Sequence, residues 1–154
     1  MTDAANGPSF PGDGREPVLA AGAIYLRPAE RRDIPLFVRW FTDRRTTRTL
    51  MLASPLSDAM EERWFERILD AHGKDVWHYV ICLRSDDRPV GGIDLREVDL
   101  RNGSASLGIA IGDPDDTGQG YGTAALRALI GFGFGELRLE RIQLDVYDFN
   151  ERAR

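Results

Sequence analysis

The chain of 154 residues has one cysteine, Cys82, and one lysine, Lys74. A single cysteine excludes an internal disulfide and makes a reducing cytoplasm the expected setting. Cys82 sits in Tyr79-Val80-Ile81-Cys82-Leu83. That run reads as a strand, so Cys82 is expected as a buried packing thiol rather than a nucleophile. No apolar run reaches the roughly 18–20 residues needed to cross a bilayer, and no membrane partner is expected. The first 22 residues carry Gly, Pro and Asp in place of a basic start and an apolar stretch, which speaks against a secretory signal. Positive charge is also in deficit, at a net −5. Nucleic acid is therefore disfavoured as the main partner, because phosphate binding needs a basic face. A cationic substrate such as an amine is compatible with this balance. No metal is expected.

What is present suits one globular domain. Hydrophobic residues make up 42% and charged residues 29%, and the length allows a substantial core. Residues 1–22 lack periodicity and are rich in turn formers, so they read as a flexible tail preceding a domain over 23–154. Ile24 to Pro28 reads as a strand closed by proline. Asp33 is placed to cap a helix with Pro35 in its first turn. Leu36, Phe37, Trp40 and Phe41 line one face of it. A second helix is expected from Ser57 or Asp58, with Met60, Trp64, Ile68 and Leu69 as its apolar stripe. Trp40 and Trp64 are expected in the core or in the wall of a substrate pocket. Val76–Leu83, Pro89–Leu100 and Ala105–Ile111 then read as an antiparallel meander joined by turns at Asp86–Pro89 and Arg101–Gly103. A helix from about Gly120 to Phe134 and a strand from Leu139 to Tyr147 complete the pattern. Asn150 looks like the cap of a further helix. The order is that of a mixed α+β fold.

The segment with chemical content runs from Leu107 to Leu126. An apolar strand enters a turn, Thr117-Gly118-Gln119-Gly120-Tyr121-Gly122, which passes directly into a helix. Glycines allow positive φ and close approach of a ligand to the backbone. The first turn of a helix carries N–H groups with no intrahelical partner, at the positive end of the helix dipole. A phosphate or pyrophosphate is the expected occupant of Gly118–Thr123. The spacing is not G-x-G-x-x-G after a parallel strand, and no G-x-x-x-x-G-K-[ST] is present.

This segment resembles the coenzyme A loop of the GNAT superfamily of N-acetyltransferases, Gln/Arg-x-x-Gly-x-Gly/Ala. Gly120 and Gly122 match its small positions, and Thr117 departs from its Gln/Arg position. Gly120-Tyr121-Gly122-Thr123-Ala124-Ala125-Leu126 is similar to the corresponding run in ribosomal-protein N-terminal acetyltransferases. So are Arg27-Pro28 with Arg32-Asp33, Gly91-Gly92-Ile93-Asp94-Leu95, Ser106-Leu107-Gly108-Ile109, and Arg141–Val146 followed by Asn150-Glu151-Arg152-Ala153.

The resemblance covers about Ile24 to Arg154. It implies the GNAT fold, a mixed and mostly antiparallel sheet flanked by helices, and acetyl-CoA as co-substrate. Ile109, Ala110 and Ile111 would pair with the pantetheine arm through their backbone. Thr117, Gly118, Gln119, Gly120, Tyr121, Gly122 and Thr123 would hold the pyrophosphate, and Asn150 would touch the pantetheine. The strand before the loop would splay from the strand at Leu139–Tyr147, leaving a gap for the thioester. The family's tyrosine acid lies beyond Arg154, and neither Tyr121 nor Tyr147 takes its place. The final helix and last two strands of the fold are likewise not in the sequence. The expectation is a truncated chain, with a gene ending early and completion by another chain as alternatives, and a homodimer is among the possible partners.

Acetyl transfer to an amine needs a group that removes the amine's proton. Asp94 is the first candidate and Glu97 the second. Strict alternation places Glu97 and Asp99 on one face of their strand and Asp94 on the other. A backbone N–H near Ile109 could polarise the thioester carbonyl. The acceptor is left open among a protein N-terminus, a polyamine, an amino acid and an aminoglycoside. Two alternatives stand beside this reading: a non-catalytic acetyl-CoA-binding module, and a flavin- or nucleotide-binding domain using the same loop.

Overall fold

The computed structural model describes residues 19–50 and 55–154. Ten elements organise them: β1 (Leu19–Ala21), β2 (Ile24–Pro28), α1 (Ile34–Thr42), α2 (Arg44–Thr47), α3 (Asp58–Ala71), β3 (Trp77–Leu83), β4 (Pro89–Asp99), β5 (Ser104–Ile111), α4 (Tyr121–Gly135) and β6 (Arg141–Gln143). Among the described residues the strands form one six-stranded sheet in sequential order. Every neighbouring pair is antiparallel except β5 with β6, which is parallel. The tail expected over 1–22 falls mostly outside the described residues. Its last part differs from expectation, because Leu19–Ala21 pairs with Ile24–Leu26.

Alternation along the strands gives the sheet two buried faces, as a sheet covered on both sides requires. Ile24, Leu26, Tyr79, Ile81, Ile93, Leu95 and Leu107 share one cluster with Ala125 and Leu129 of α4. Tyr25, Val80 and Cys82 share the other with Phe37 and Trp40 of α1. Cys82 is the expected packing thiol: it has no exposed surface, and burial pushes its ionisation up to about 11.

Three local expectations are corrected. Asp33 does not cap α1 through its side chain. Its carboxylate instead accepts two hydrogen bonds from the Arg27 guanidinium, at 2.8 and 2.7 Å, and one from the Glu30 N–H at 2.8 Å. Both side chains are buried, so the pair anchors the entry of α1 to β2. The second correction concerns α3. Ser57 does cap it by accepting from the Met60 N–H, but the buried residues are Glu61 and Phe65. Met60 and Leu69 of the expected stripe are exposed, and Trp64 and Ile68 flank the buried side. The third concerns the last strand, which is three residues long instead of nine. It pairs with β5 only at Ser104–Ser106. From Leu144 onward the chain diverges from β5 and forms no ladder.

Candidate active site

The divergence of β6 from β5 creates the site. Residues 107–111 of β5 bond to β4 on one edge, and on the other edge β6 pairs no further than Ser106. A cleft of about 1960 Å³ opens there, lined by Leu107–Ile111 on one side and Leu144–Tyr147 and Asn150 on the other. An exposed strand edge of this kind offers backbone donors and acceptors to an extended ligand.

The glycine turn closes one end of the cleft. A 3₁₀ turn over Pro114–Asp116 is followed by Gly118 and Gly120, with φ of 75° and 83°. Both lie in the left-handed region that L side chains avoid. Gly120 is the N-cap of α4 and supplies no side-chain cap, so the amides of the first turn face outward without a local acceptor. Thr117, Gly118, Gly120, Tyr121, Gly122 and Thr123 line the cleft. Gln119 does not, and it is exposed.

Two of the three aspartates beside this turn are engaged locally. Asp113 is turned back to accept the Asp115 N–H, and Asp116 is held by the Arg88 guanidinium in two bonds of 2.9 Å. Thr117 Oγ1 donates to the Pro114 carbonyl and accepts from Arg152 Nη1 at 2.6 Å. A guanidinium from the far wall therefore stands at the loop. Asn150 starts the turn that carries Arg152, its carboxamide oxygen accepting the Ala153 N–H.

At the other end lie the candidate bases. Asp94 is opposite Gly108 in the β4–β5 ladder, one residue from Ile109. A Cβ at Gly108 would come within 2.9 Å of Asp94 Oδ1 and 2.7 Å of Arg96 Nη2, so a side chain there would displace the ends of this carboxylate and guanidinium. Glu97 departs from the alternation. The β4–β5 register shifts between Arg96 and Asp99, and Glu97 has φ 51°. This bulge inserts an extra residue and turns Val98 to the buried side. Asp94 and Glu97 therefore line the same cleft, correcting the expectation of opposite faces. Asp99 is used elsewhere, accepting from Arg101 and Asn102 in the turn after β4.

Two residues of the site were not expected from the sequence. His78 of β3 pairs with Asp94 in register and stands edge-on to the Trp64 indole at 4.9 Å. Glu61 of α3 is 5% exposed, and burial raises its ionisation, partly offset by His78 and Arg67. Alternation could have flagged His78, the polar member of the face carrying Val80 and Cys82. Glu61 could not be flagged, because its sequence neighbourhood is polar. Among the described residues no cluster of three or more His, Cys, Asp or Glu side chains is arranged to hold a metal ion.

The sheet is antiparallel up to its last, parallel pair and parts there, with an uncapped helix start at the mouth of the opening. Known proteins share this fold. The acetyltransferase (GNAT) domain family matches residues 23–154. The uncharacterized N-acetyltransferase p20 of Bacillus licheniformis is 24% identical over 125 residues, 80% of this chain and 69% of that protein. Spermidine N-acetyltransferase from Vibrio cholerae, solved with CoA and spermine, superposes with a TM-score of 0.75 at 22% identity, covering 85% of this chain and 75% of the other. Mycobacterium smegmatis RimJ, solved with CoA-disulfide, gives 0.73 at 22% identity, covering 88% and 68%. The two solved structures share the fold. The chain belongs to the acetyltransferase (GNAT) domain family and is an N-acetyltransferase.

Proposed function

We propose that this chain moves the acetyl group of acetyl-CoA to a primary amine inside the cleft between β5 and residues 144–150. The observation that carries the reading is the free edge of Leu107–Ile111 leading to the uncapped start of α4. The residues present fit the co-substrate. Amides of Gly118 to Thr123 offer donors to its diphosphate, and the Arg152 guanidinium adds a cation. The backbone of Ile109–Ile111 offers strand pairing to the pantetheine arm, and Asn150 lines the wall opposite. Acetyl-CoA brings an activated thioester. The chain supplies position, a donor near Ile109 for the carbonyl oxygen, and a carboxylate for the amine's proton.

Asp94 is the base of this reading, because it is level with Gly108 and so beside the acyl position. Glu97, exposed and bonded to the Ser106 hydroxyl at 3.0 Å, is second. Holding amine and thioester together is worth as much as about 7–11 kcal/mol of barrier, so a single proton acceptor need supply only part of the rate. The acceptor is a primary amine such as a polyamine or a peptide N-terminus. The acetyltransferases of the same fold, one solved with spermine, support amines as a class.

The test is acetyl-CoA-dependent thiol release with a panel of spermidine, an aminoglycoside, free amino acids and a short peptide with a free N-terminus. At least one acceptor is expected to turn over, and Asp94→Asn is expected to lower kcat by about 10²-fold or more. Tight coenzyme A binding with no turnover on any amine would favour the non-catalytic reading. Stabilisation by NAD or ATP instead of coenzyme A would favour the nucleotide-binding one.

A further inference from the structure

His78 is 7% exposed, and neither ring nitrogen has a hydrogen-bond partner among the described residues. Burying two unsatisfied ring nitrogens is costly, so such a group asks for a role. Its surroundings supply one. His78, Asp94 and Gly108 are successive register partners across β3, β4 and β5. They form a row on one face of the sheet that ends beside the cleft. His78 Nδ1 lies 3.6 Å from Asp94 Oδ2, slightly beyond hydrogen-bond reach and within a small side-chain adjustment of it. Both side chains line the cleft, and Asp94 is the more exposed of the two. Trp64 covers the ring edge-on. Gly92 lies on the other side, where even a Cβ would make only ordinary contact, 3.6 Å from His78 Cε1. The charged and titratable groups around the pair are Arg96, whose Nε is 3.1 Å from Asp94 Oδ1, Glu61 of α3 with Arg67 beyond it, and His72, whose Nδ1 accepts the His78 backbone N–H.

We propose that His78 is a positioning residue for Asp94 and the onward acceptor of the proton that Asp94 removes. The proposal rests on the cleft being the acceptor-amine site. An N–H bond of the ammonium breaks in favour of an Asp94 oxygen. That O–H then breaks in favour of His78 Nδ1, leaving a carboxylate beside an imidazolium. The freed amine nitrogen forms its bond to the acetyl carbon, the carbon–sulfur bond breaks, and the second proton lost from nitrogen goes to the departing thiolate. The imidazolium returns its proton to water when the product leaves. The net change is ammonium plus thioester to amide, thiol and one proton, with no other reactant required.

A double-mutant cycle over Asp94 and His78 tests this, using the acceptor from the amine panel that the wild-type chain turns over fastest. His78→Ala is expected to lower kcat by about 10²-fold, with the KM for acetyl-CoA and the melting temperature near wild type. Groups acting as a unit are strongly non-additive, so adding His78→Ala to Asp94→Asn should cost no more than about threefold further. His78→Gln, which keeps the volume and a hydrogen-bonding amide, retains the KM and not the kcat. It stands in for the alanine variant if that one fails to fold. Wild-type kcat in His78→Ala or His78→Gln overturns the proposal. So does an undiminished rate in Asp94→Asn, and so do losses that multiply in the double variant. A wild-type chain that acetylates none of the amines defeats the functional reading itself, a result distinguishable from all of these.

Discussion

At the scale of single residues, the buried ion pair of Arg27 and Asp33 shows how position decides what a charge does. The pair is 5% and 4% exposed and bonded in two places. Removing one partner strands the other in a medium that cannot solvate it, at about 3–5 kcal/mol. Asp33→Ala should therefore lower the melting temperature, by about 2–4 °C per kcal/mol for a chain of this size. The double variant Arg27→Met, Asp33→Leu should recover much of that loss. Calorimetry of the three proteins checks it, and equal melting temperatures for wild type and Asp33→Ala would contradict it.

Glu61 gives the opposite case, a buried carboxyl held above its ordinary value of 4.5 by burial. The folded chain binds that proton more tightly than the unfolded chain. Its stabilising contribution is thus complete below pH 4.5 and is lost as pH rises through the folded value. Glu61→Gln mimics the neutral form. It should melt higher than wild type at pH 7 and at the same temperature near pH 4. A gain that is equal at both pH values would refute the assignment. Neither role was legible in the sequence. Asp33 stands where a helix cap belongs, and only the fold brings Arg27 across to it. Glu61 sits among charges on a helix whose apolar residues suggested another face.

At the scale of elements, the meander was legible because alternation and turn residues mark strands directly. Pro89 and Ile111 bound them where the structure does, and the expected limits at Leu100 and Ala105 each fall one residue from the observed Asp99 and Ser104. The start of α4 was legible for a similar reason, since glycines just before a run of helix formers leave few other conformations. The bulge at Glu97 was not. A one-residue insertion reverses the facing of every residue beyond it in the strand, and nothing in Arg96-Glu97-Val98-Asp99 announces it.

The short β6 was hidden too. Leu144 and Val146 keep the alternating pattern of a strand although no partner strand runs beside them among the described residues. Gly120, the N-cap of α4, and Gly131 within it separate conformation from composition. Gly120 has φ 83° and open space where a Cβ would go. Gly120→Ala should cost about 1–2 kcal/mol of strain and weaken acetyl-CoA binding by at least tenfold. Gly131 has open space in ordinary helical conformation. Gly131→Ala should stabilise by about 0.4–1 kcal/mol and leave the affinity unchanged. Titration calorimetry and thermal melts of both decide it, and equal affinity losses in the two variants would count against the loop.

At the scale of the whole molecule, the sheet runs in sequence order and then parts, and the proposed function rests on that parting. Helices α1 and α3 pack on one face and α4 on the other. The row His78, Asp94 and Gly108 crosses β3, β4 and β5 in register. The family likeness was readable along most of the chain because the loop, the central strands and the Asn150 turn each carry a local signature. The row from His78 to Gly108 was not, because it exists only once three strands lie in register. Gly112 marks the same coupling: a Cβ there would fall within the Trp40 indole. Its carbonyl accepts the Thr46 hydroxyl at 2.8 Å, tying the helical layer to the end of β5.

In the proposed function, cofactor capture depends on the uncapped amides at the start of α4 and on the free edge of β5. A crystal structure of the chain with acetyl-CoA measures both. The diphosphate oxygens are predicted within hydrogen-bond distance of backbone nitrogens between Gly118 and Thr123, with the pantetheine arm along Ile109–Ile111. Acetyl-CoA bound stoichiometrically with its diphosphate against any other part of the surface, and this turn empty, would contradict that dependence.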